Sequence, residues 1–187
     1  MSAATQLFRG LRLTLVLWLL TVVVITLPML GLARLVAPDA ASGSLLRIGG
    51  RVVGSRLIGQ SFSSARYLQG RPAGAANLAA GNPELTTRVA AAASRWQSTG
   101  LARPAPDLLQ DSASGVDPHI SLAAARQQLP NLARERGLPP TELERLLVQH
   151  LEGPLELRAI EPMVNVLRFN LALDLLTDGS AIRTPTP

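Results

Sequence analysis

LTLVLWLLTVVVITLPMLGLA, residues 13–33, lies between Arg12 and Arg34 and carries no charge. At 1.5 Å rise per residue a helix of this length reaches about 31 Å, and the hydrocarbon core of a bilayer is about 30 Å thick. A cleaved leader would share the basic start, Arg9 and Arg12, and Gly31-Leu32-Ala33 has the small-x-small form of a cleavage site. Leader apolar regions, however, run only about 7–15 residues. The stretch therefore reads as a single uncleaved anchor, with Pro28 tolerated near one end. Basic charge precedes the span, whereas Arg34 is soon followed by Asp39. That bias orients the N-terminus inward and the rest outward, into the periplasm of a double-membraned bacterium. The expected layout is 1–12 cytoplasmic, 13–33 spanning, 34–44 a tether, 45–177 a soluble domain and 178–187 a flexible tail.

Composition narrows the function of the soluble part. There is no cysteine among the 187 residues, which excludes disulfides, thiolate catalysis and cysteine-based metal sites. The pI near 11.3 suggests a nucleic-acid binder, but the charge is spread out. All 18 basic residues are arginine, and without Arg9, Arg12 and Arg34 the remainder holds 15 against 13 acids, a net +2. No basic run alternates with aromatic residues, so the footprint of a DNA or RNA surface is missing.

Local signals predict a small α+β domain with a β-hairpin and about four helices. SLLRI and RVVGSRLIG are β-prone runs joined by Gly49-Gly50, a two-residue hairpin signal. Residues 69–82, rich in Gly, Ala, Asn and Pro, read as a long surface loop. Asn82-Pro83-Glu84 supplies an N-cap, a first-turn proline and a dipole-compatible acid for a helix through TTRVAAAASRWQ. GLARPAPDLLQD is a proline-broken connector. Ser121 caps a further helix to Arg136, which Pro130 should kink or break and Gly137 ends. Thr141 and Glu144 have capping-box spacing, and Leu143, Leu146, Leu147 and Leu151 form one apolar face. PLELRAI reads as a short strand, and Asn165 is placed to cap VLRFNLALDLL.

SASGVDPHIS, residues 112–121, holds serine, aspartate and histidine within ten positions. A nucleophile elbow requires G-x-S-x-G, and neither Ser112 nor Ser114 has a glycine two residues before it. Asp117, Pro118 and His119 are consecutive, an arrangement in which side chains are expected to diverge rather than form a relay. The structural reading is a turn at Gly115, capping by Asp117, a helix-compatible φ at Pro118 and serine hydroxyls in the same turn network. His119 and His150 are the only histidines and belong to no ligand motif. His150, near a helix end, reads as a dipole-favoured surface residue. An anchored hydrolase using Ser114, His119 and Asp117, or an anchored ligand-binding module, are the rival readings.

Three segments in order, behind one span, resemble the C subunit of the Kdp potassium-transporting P-type ATPase. The first is GSRLIGQSF (Gly54, Ser55, Leu57, Ile58, Gly59, Gln60 and Phe62) with Tyr67, Arg71 and Pro72 following. The second is SASGVDPHIS (Ser112, Ser114, Gly115, Asp117, Pro118 and His119). The third is EPMVNVLRFNLALD, with Asn165, Asn170 and Asp174. Leu68, Val116, Leu122 and Met163 stand where that family usually has phenylalanine, leucine, proline and arginine. The resemblance implies a non-catalytic subunit of an inner-membrane complex. Its implied partners are a potassium-translocating A subunit, an ATP-hydrolysing B subunit and a small F subunit, within the lipid bilayer. The family is described as a catalytic chaperone that raises the ATP affinity of the B subunit. By resemblance ATP is a possible ligand, with Gln128 in AAARQQLP as the nominated contact, and no tightly bound cofactor is implied. The chain lacks the D-K-T-G-T phosphorylation motif of the ATPase subunit itself.

Overall fold

The computed structural model describes residues 2–74, 78–153 and 162–178. The chain divides into two compact units, Met1–Leu45 and Leu46–Pro187. In the first, α1 (Ala3–Thr21), a π-helical stretch (Val22–Thr26) and α2 (Leu27–Val36) run on as one apolar helix of 34 residues, none of its most apolar window buried. It extends past both ends of the uncharged run. Pro28 explains the π turn: its ring would meet the carbonyl of Val24, four residues back, and it has no N–H to donate. The helix widens just before it, and Leu27 N–H donates to the carbonyl of Val22, five residues back. The tether is less irregular than its composition suggests, because Pro38–Ala41 forms one further short helix, α3.

The second unit opens with the hairpin, β1 (Leu45–Ile48) and β2 (Arg51–Ser55). Gly49 and Gly50 have φ of 54° and 80°, the paired positive values of a type I′ turn. β2 ends at Ser55, so LIG lies in the turn beyond it. Among the described residues no helix or strand follows until α4 (Pro83–Ser98), whose cap Asn82 accepts from Glu84 N–H at 2.9 Å. Trp96 reaches from α4 to the connector and donates its indole N–H to Leu108 carbonyl at 3.0 Å.

A second sheet has the order β3 (His119–Ser121), β5 (Met163–Asn165), β4 (Leu151–Glu152), all antiparallel. Val164 sits opposite both Ile120 and Leu151. Ile120 and Val164 are buried among α5 (Leu122–Arg136), α6 (Pro140–Gln149) and α7 (Val166–Asp178). Ala124, Ala125, Leu129 and Leu132 from α5, Leu143 and Leu147 from α6, and Leu167, Phe169 and Leu173 from α7 complete this core.

Several expectations change at this level. α5 continues through Pro130 to its left-handed cap at Gly137, so the proline does not break it. Thr141 is not the cap of α6: the helix begins at Pro140, leaving Thr141 inside the first turn, while Glu144 pairs with Arg126 instead. Asp117-Pro118 leads into a strand rather than a helix, and the helix opens three residues later at Ser121, whose hydroxyl accepts from Ala124 N–H. The strand expected in PLELRAI and the tail after Asp178 lie outside the described residues.

Candidate functional site

Residues 56–74 contain no helix or strand, yet Leu68 is fully buried and Phe62 nearly so. A loop in that position must satisfy its backbone polar groups with something other than a ladder. Side chains from α7 and α5 do so. Asn165 caps α7 by accepting from Arg168 N–H at 3.2 Å and donates to Arg56 carbonyl at 2.8 Å. Asn170, 1% exposed, accepts from Leu68 N–H at 2.8 Å and donates to Leu68 carbonyl at 2.9 Å. Its carboxamide thereby replaces a neighbouring strand. Gln128 repeats the device one residue on, accepting from Gln69 N–H at 2.9 Å and donating to Gln69 carbonyl at 3.0 Å.

Asp174 closes the far end. It accepts from Tyr67 hydroxyl at 3.0 Å and from the Arg136 guanidinium at 2.7 Å, with the Arg136 and Asp174 side chains 1% and 2% exposed. Arg136 also lies 4.7 Å over the Tyr67 ring and donates to Arg66 carbonyl at 2.6 Å. Burial, then the facing Asp174 carboxylate, pushes the Tyr67 hydroxyl above its ordinary pKa. Phe62 packs on Tyr67 with ring centroids 5.2 Å apart.

The SASGVDPHIS turn abuts the start of the same loop. Gly59 N–H donates to Val116 carbonyl at 2.7 Å, and a Cβ at Gly59 would stand 2.6 Å from the Asp117 carbonyl oxygen. Gly54 is similarly crowded, by Gln60 and Leu167. The Ser55 hydroxyl accepts from Leu57 N–H, whereas Gln60 Oε1 is buried without a partner among the described residues. Within the turn, Ser112 accepts from Asp117 N–H and Ser114 from Val116 N–H. Pro118 is buried, and its carbonyl accepts from Val166 N–H at 3.0 Å.

Charge gathers below this turn. Arg71 reaches Asp107 at 2.7 Å, Asp117 at 3.7 Å and His119 carbonyl at 3.2 Å. Pro72, half-buried, follows it along the loop. Asp107 also accepts from Ser121 N–H at 2.7 Å. Burial alone would push that carboxyl up, but Ser121 and Arg71 together hold it below the usual carboxylate range. Contrary to the expected divergence, Asp117 and His119 do meet, Oδ1 to Nδ1 at 3.2 Å. The other ring nitrogen contacts Glu152 at 3.0 Å, and Glu152 in turn pairs with Arg168. Glu152 is also held low: burial opposes this, and His119 and Arg168 outweigh it. Among the described residues no serine hydrogen-bonds His119; Ser112 and Ser114 contact each other and the turn backbone. The histidine that a triad would use as base is engaged by two carboxylates. Among the described residues there is no cluster of three or more metal-ligating side chains. His150 is not purely a surface residue, since it caps α6 and places its ring edge-on to Phe169.

A cavity of about 600 Å³ lies beside the loop, lined by Phe62, Tyr67, Trp96, Arg95, Gln128 and Arg134 among others. Gln128 itself is 5% exposed, with its carboxamide committed to Gln69. Reading the sequence alone missed Asp107, Arg136, Glu152 and Arg168. Each has partners 14 to 70 positions away in the sequence.

A long apolar helix followed by a small α+β domain, whose polar side chains brace one loop, is the layout of a protein with a single candidate membrane span. The chain matches the family described as KdpC, the K+-transporting ATPase c chain, over residues 7–175. It is 45% identical over 185 residues to the potassium-transporting ATPase KdpC subunit of Methylibium petroleiphilum, covering 91% of this chain and 97% of the relative. The Synechocystis sp. KdpC subunit is 42% identical over 182 residues, covering 88% and 95%. That of Anabaena sp. is 38% identical over 192 residues, covering 94% and 96%. The chain belongs to the KdpC family and is a non-catalytic subunit of the Kdp potassium-transporting ATPase complex.

Proposed function

We propose that this subunit assembles and stabilises the pump from the extracellular side of the bacterial inner membrane. The anchor packs laterally against helices of the potassium-translocating A subunit, and the domain caps the outer end of the potassium pathway. The ATP-hydrolysing B subunit and the small F subunit complete the assembly. The observation that carries this reading is the brace: Asn165, Asn170, Asp174 and Gln128 all hold the same irregular loop in one conformation. A preorganised loop on a rigid core is suited to docking, because little ordering remains to be done on association. ATP is cytosolic while the charge flanks orient this domain outward. Any effect on ATP use by the B subunit is then indirect, a shift in the pump's conformational equilibrium.

Affinity purification of the tagged chain from its native membrane tests this. The expected result is co-purification of a multi-span transport protein and a P-type ATPase. Recovery of the chain alone from undisrupted membranes overturns it, and a C-terminal reporter active only in the cytosol overturns the topology.

A second reading, direct nucleotide contact near Gln128, is favoured by the adjoining cavity with Arg95 and the Trp96 and Tyr67 rings at its wall. In that case the Arg95→Ala complex needs at least several-fold more ATP for half-maximal hydrolysis. An unchanged ATP requirement rejects direct contact there.

A further inference from the structure

We propose that the turn after the hairpin, together with the hairpin's arginines, rests on anionic phospholipid headgroups beside the anchor. This goes beyond the assembly reading and concerns the chain's own contact with the bilayer. Three observations converge on it. First, position: the two-residue turn of an antiparallel hairpin brings the end of β2 beside the start of β1, where the tether enters the domain. Arg56, Leu57 and Ile58 follow β2 directly, so they stand at the tether's point of attachment. The tether, residues 37–44, spans at most about 28 Å when fully extended, and α3 shortens it further. Chain connectivity therefore lets this turn reach the bilayer surface.

Second, chemistry: Leu57 and Ile58 are 57% and 50% exposed, and Val116, 48% exposed, is fixed next to them by the Gly59–Val116 hydrogen bond. Exposed aliphatic side chains on a juxtamembrane turn can enter the boundary between headgroups and acyl chains. Third, charge: no acidic residue occurs between Asp39 and Glu84, while five arginines do. Of these, Arg47, Arg51 and Arg56 are exposed, and none has a carboxylate partner among the described residues. Arg56 beside the aliphatic turn, with Arg47 on the neighbouring strand, complements a phosphate-bearing surface, with about 1 kcal/mol of attraction per arginine near anionic lipid. The apolar surface of a neighbouring subunit would account for Leu57 and Ile58 but would leave the one-sided charge unexplained.

The cysteine-free sequence makes the test direct. The full chain carrying Ile58→Cys, labelled with a polarity-sensitive fluorophore, is reconstituted alone into vesicles of phosphatidylcholine or of phosphatidylcholine with phosphatidylglycerol. The expected result is a blue-shifted probe, quenched by shallow nitroxide lipids, in the anionic vesicles only. High salt should reverse it. Adding R47Q and R56Q should lower the ratio of lipid-seated to water-exposed probe by roughly 30-fold. A probe at Val148→Cys, exposed on α6, should not respond. A probe at position 58 that stays in water in both vesicle types overturns the proposal. So does one shielded only when the other Kdp subunits are present, which would assign the patch to a protein contact. The comparison of the two vesicle types uses this chain alone, so its result is independent of whether the assembly reading holds.

Discussion

Asn170 is a buried carboxamide with both ends taken by the backbone of Leu68. Asn170→Ala strands a buried N–H and a buried carbonyl together, and an unsatisfied buried group costs about 1–3 kcal/mol. The expected loss is about 3 kcal/mol, seen as a lower midpoint in denaturant unfolding of the detergent-solubilised chain; a loss within 0.5 kcal/mol, about what an ordinary surface substitution gives, would sink the bracing account. Tyr67 offers a spectroscopic counterpart, because the chain has a single tyrosine. Absorbance titration should place its ionisation above the ordinary value of 10.0 in the folded chain, returning to it in denaturant. Since the folded value is the higher one, this contribution to stability is complete below about pH 10 and disappears as pH rises through the folded pKa. Neither residue's partner was legible in the sequence. Asn170 reads there as a polar interruption of an apolar helix, and Leu68 lies 102 positions earlier, beyond the reach of any local pattern.

The turn at 112–118 is held by its own backbone geometry more than by the charges beneath it. Gly115 has φ of 72°, which a β-branched residue adopts only under strain. Gly115→Val should therefore reduce the amount of folded, assembled subunit more than His119→Gln, whose side chain is about 30% exposed. Membrane-fraction yield and co-purification with the other subunits measure both, and the reverse order would restore His119 as a candidate for chemistry. The hairpin, the anchor and the Asn82, Ser121 and Asn165 caps could be read in advance, since each is written in a few consecutive residues. β3, β4 and β5 could not, because strands of two or three residues carry no usable alternation. Pro118 misled for a related reason: its fixed φ suits a helix start, but Val166 N–H pairs with its carbonyl beside the β3–β5 ladder.

Across the second unit, the carboxylates with depressed pKa are expected to shape its response to acid. Asp107 and Glu152 both titrate lower in the folded chain than in the unfolded one. Their stabilisation is therefore complete above the ordinary carboxylate range, near pH 4, and is lost as pH falls through the folded values. Thermal unfolding followed from neutral pH downward should show a steep acid limb that Asp107→Asn and Glu152→Gln each flatten. An acid limb unchanged in both variants would mean that other groups dominate. The class of protein was recoverable from sequence because one uncharged helix and three separated segments sufficed for it. The electrostatic network was not, since His119 and Glu152 come together only through β5, which lies between their strands.

The brace also orders events in time. Arg56, Tyr67 and Leu68 leave the ribosome about 100 residues before the Asn165, Asp174 and Asn170 that secure them. Throughout that interval the anchor can already be inserted while the Arg56 and Leu68 backbone groups lack their partners, although Val116 and Gln128 have by then joined the loop. The last ties of the brace are therefore made by the C-terminal helix: a product truncated before Asn170 carries the apolar helix but leaves Leu68 and Tyr67 unsecured. Stopping translation at residue 169 should give a membrane-inserted, protease-sensitive chain, whereas stopping at 178 should preserve resistance.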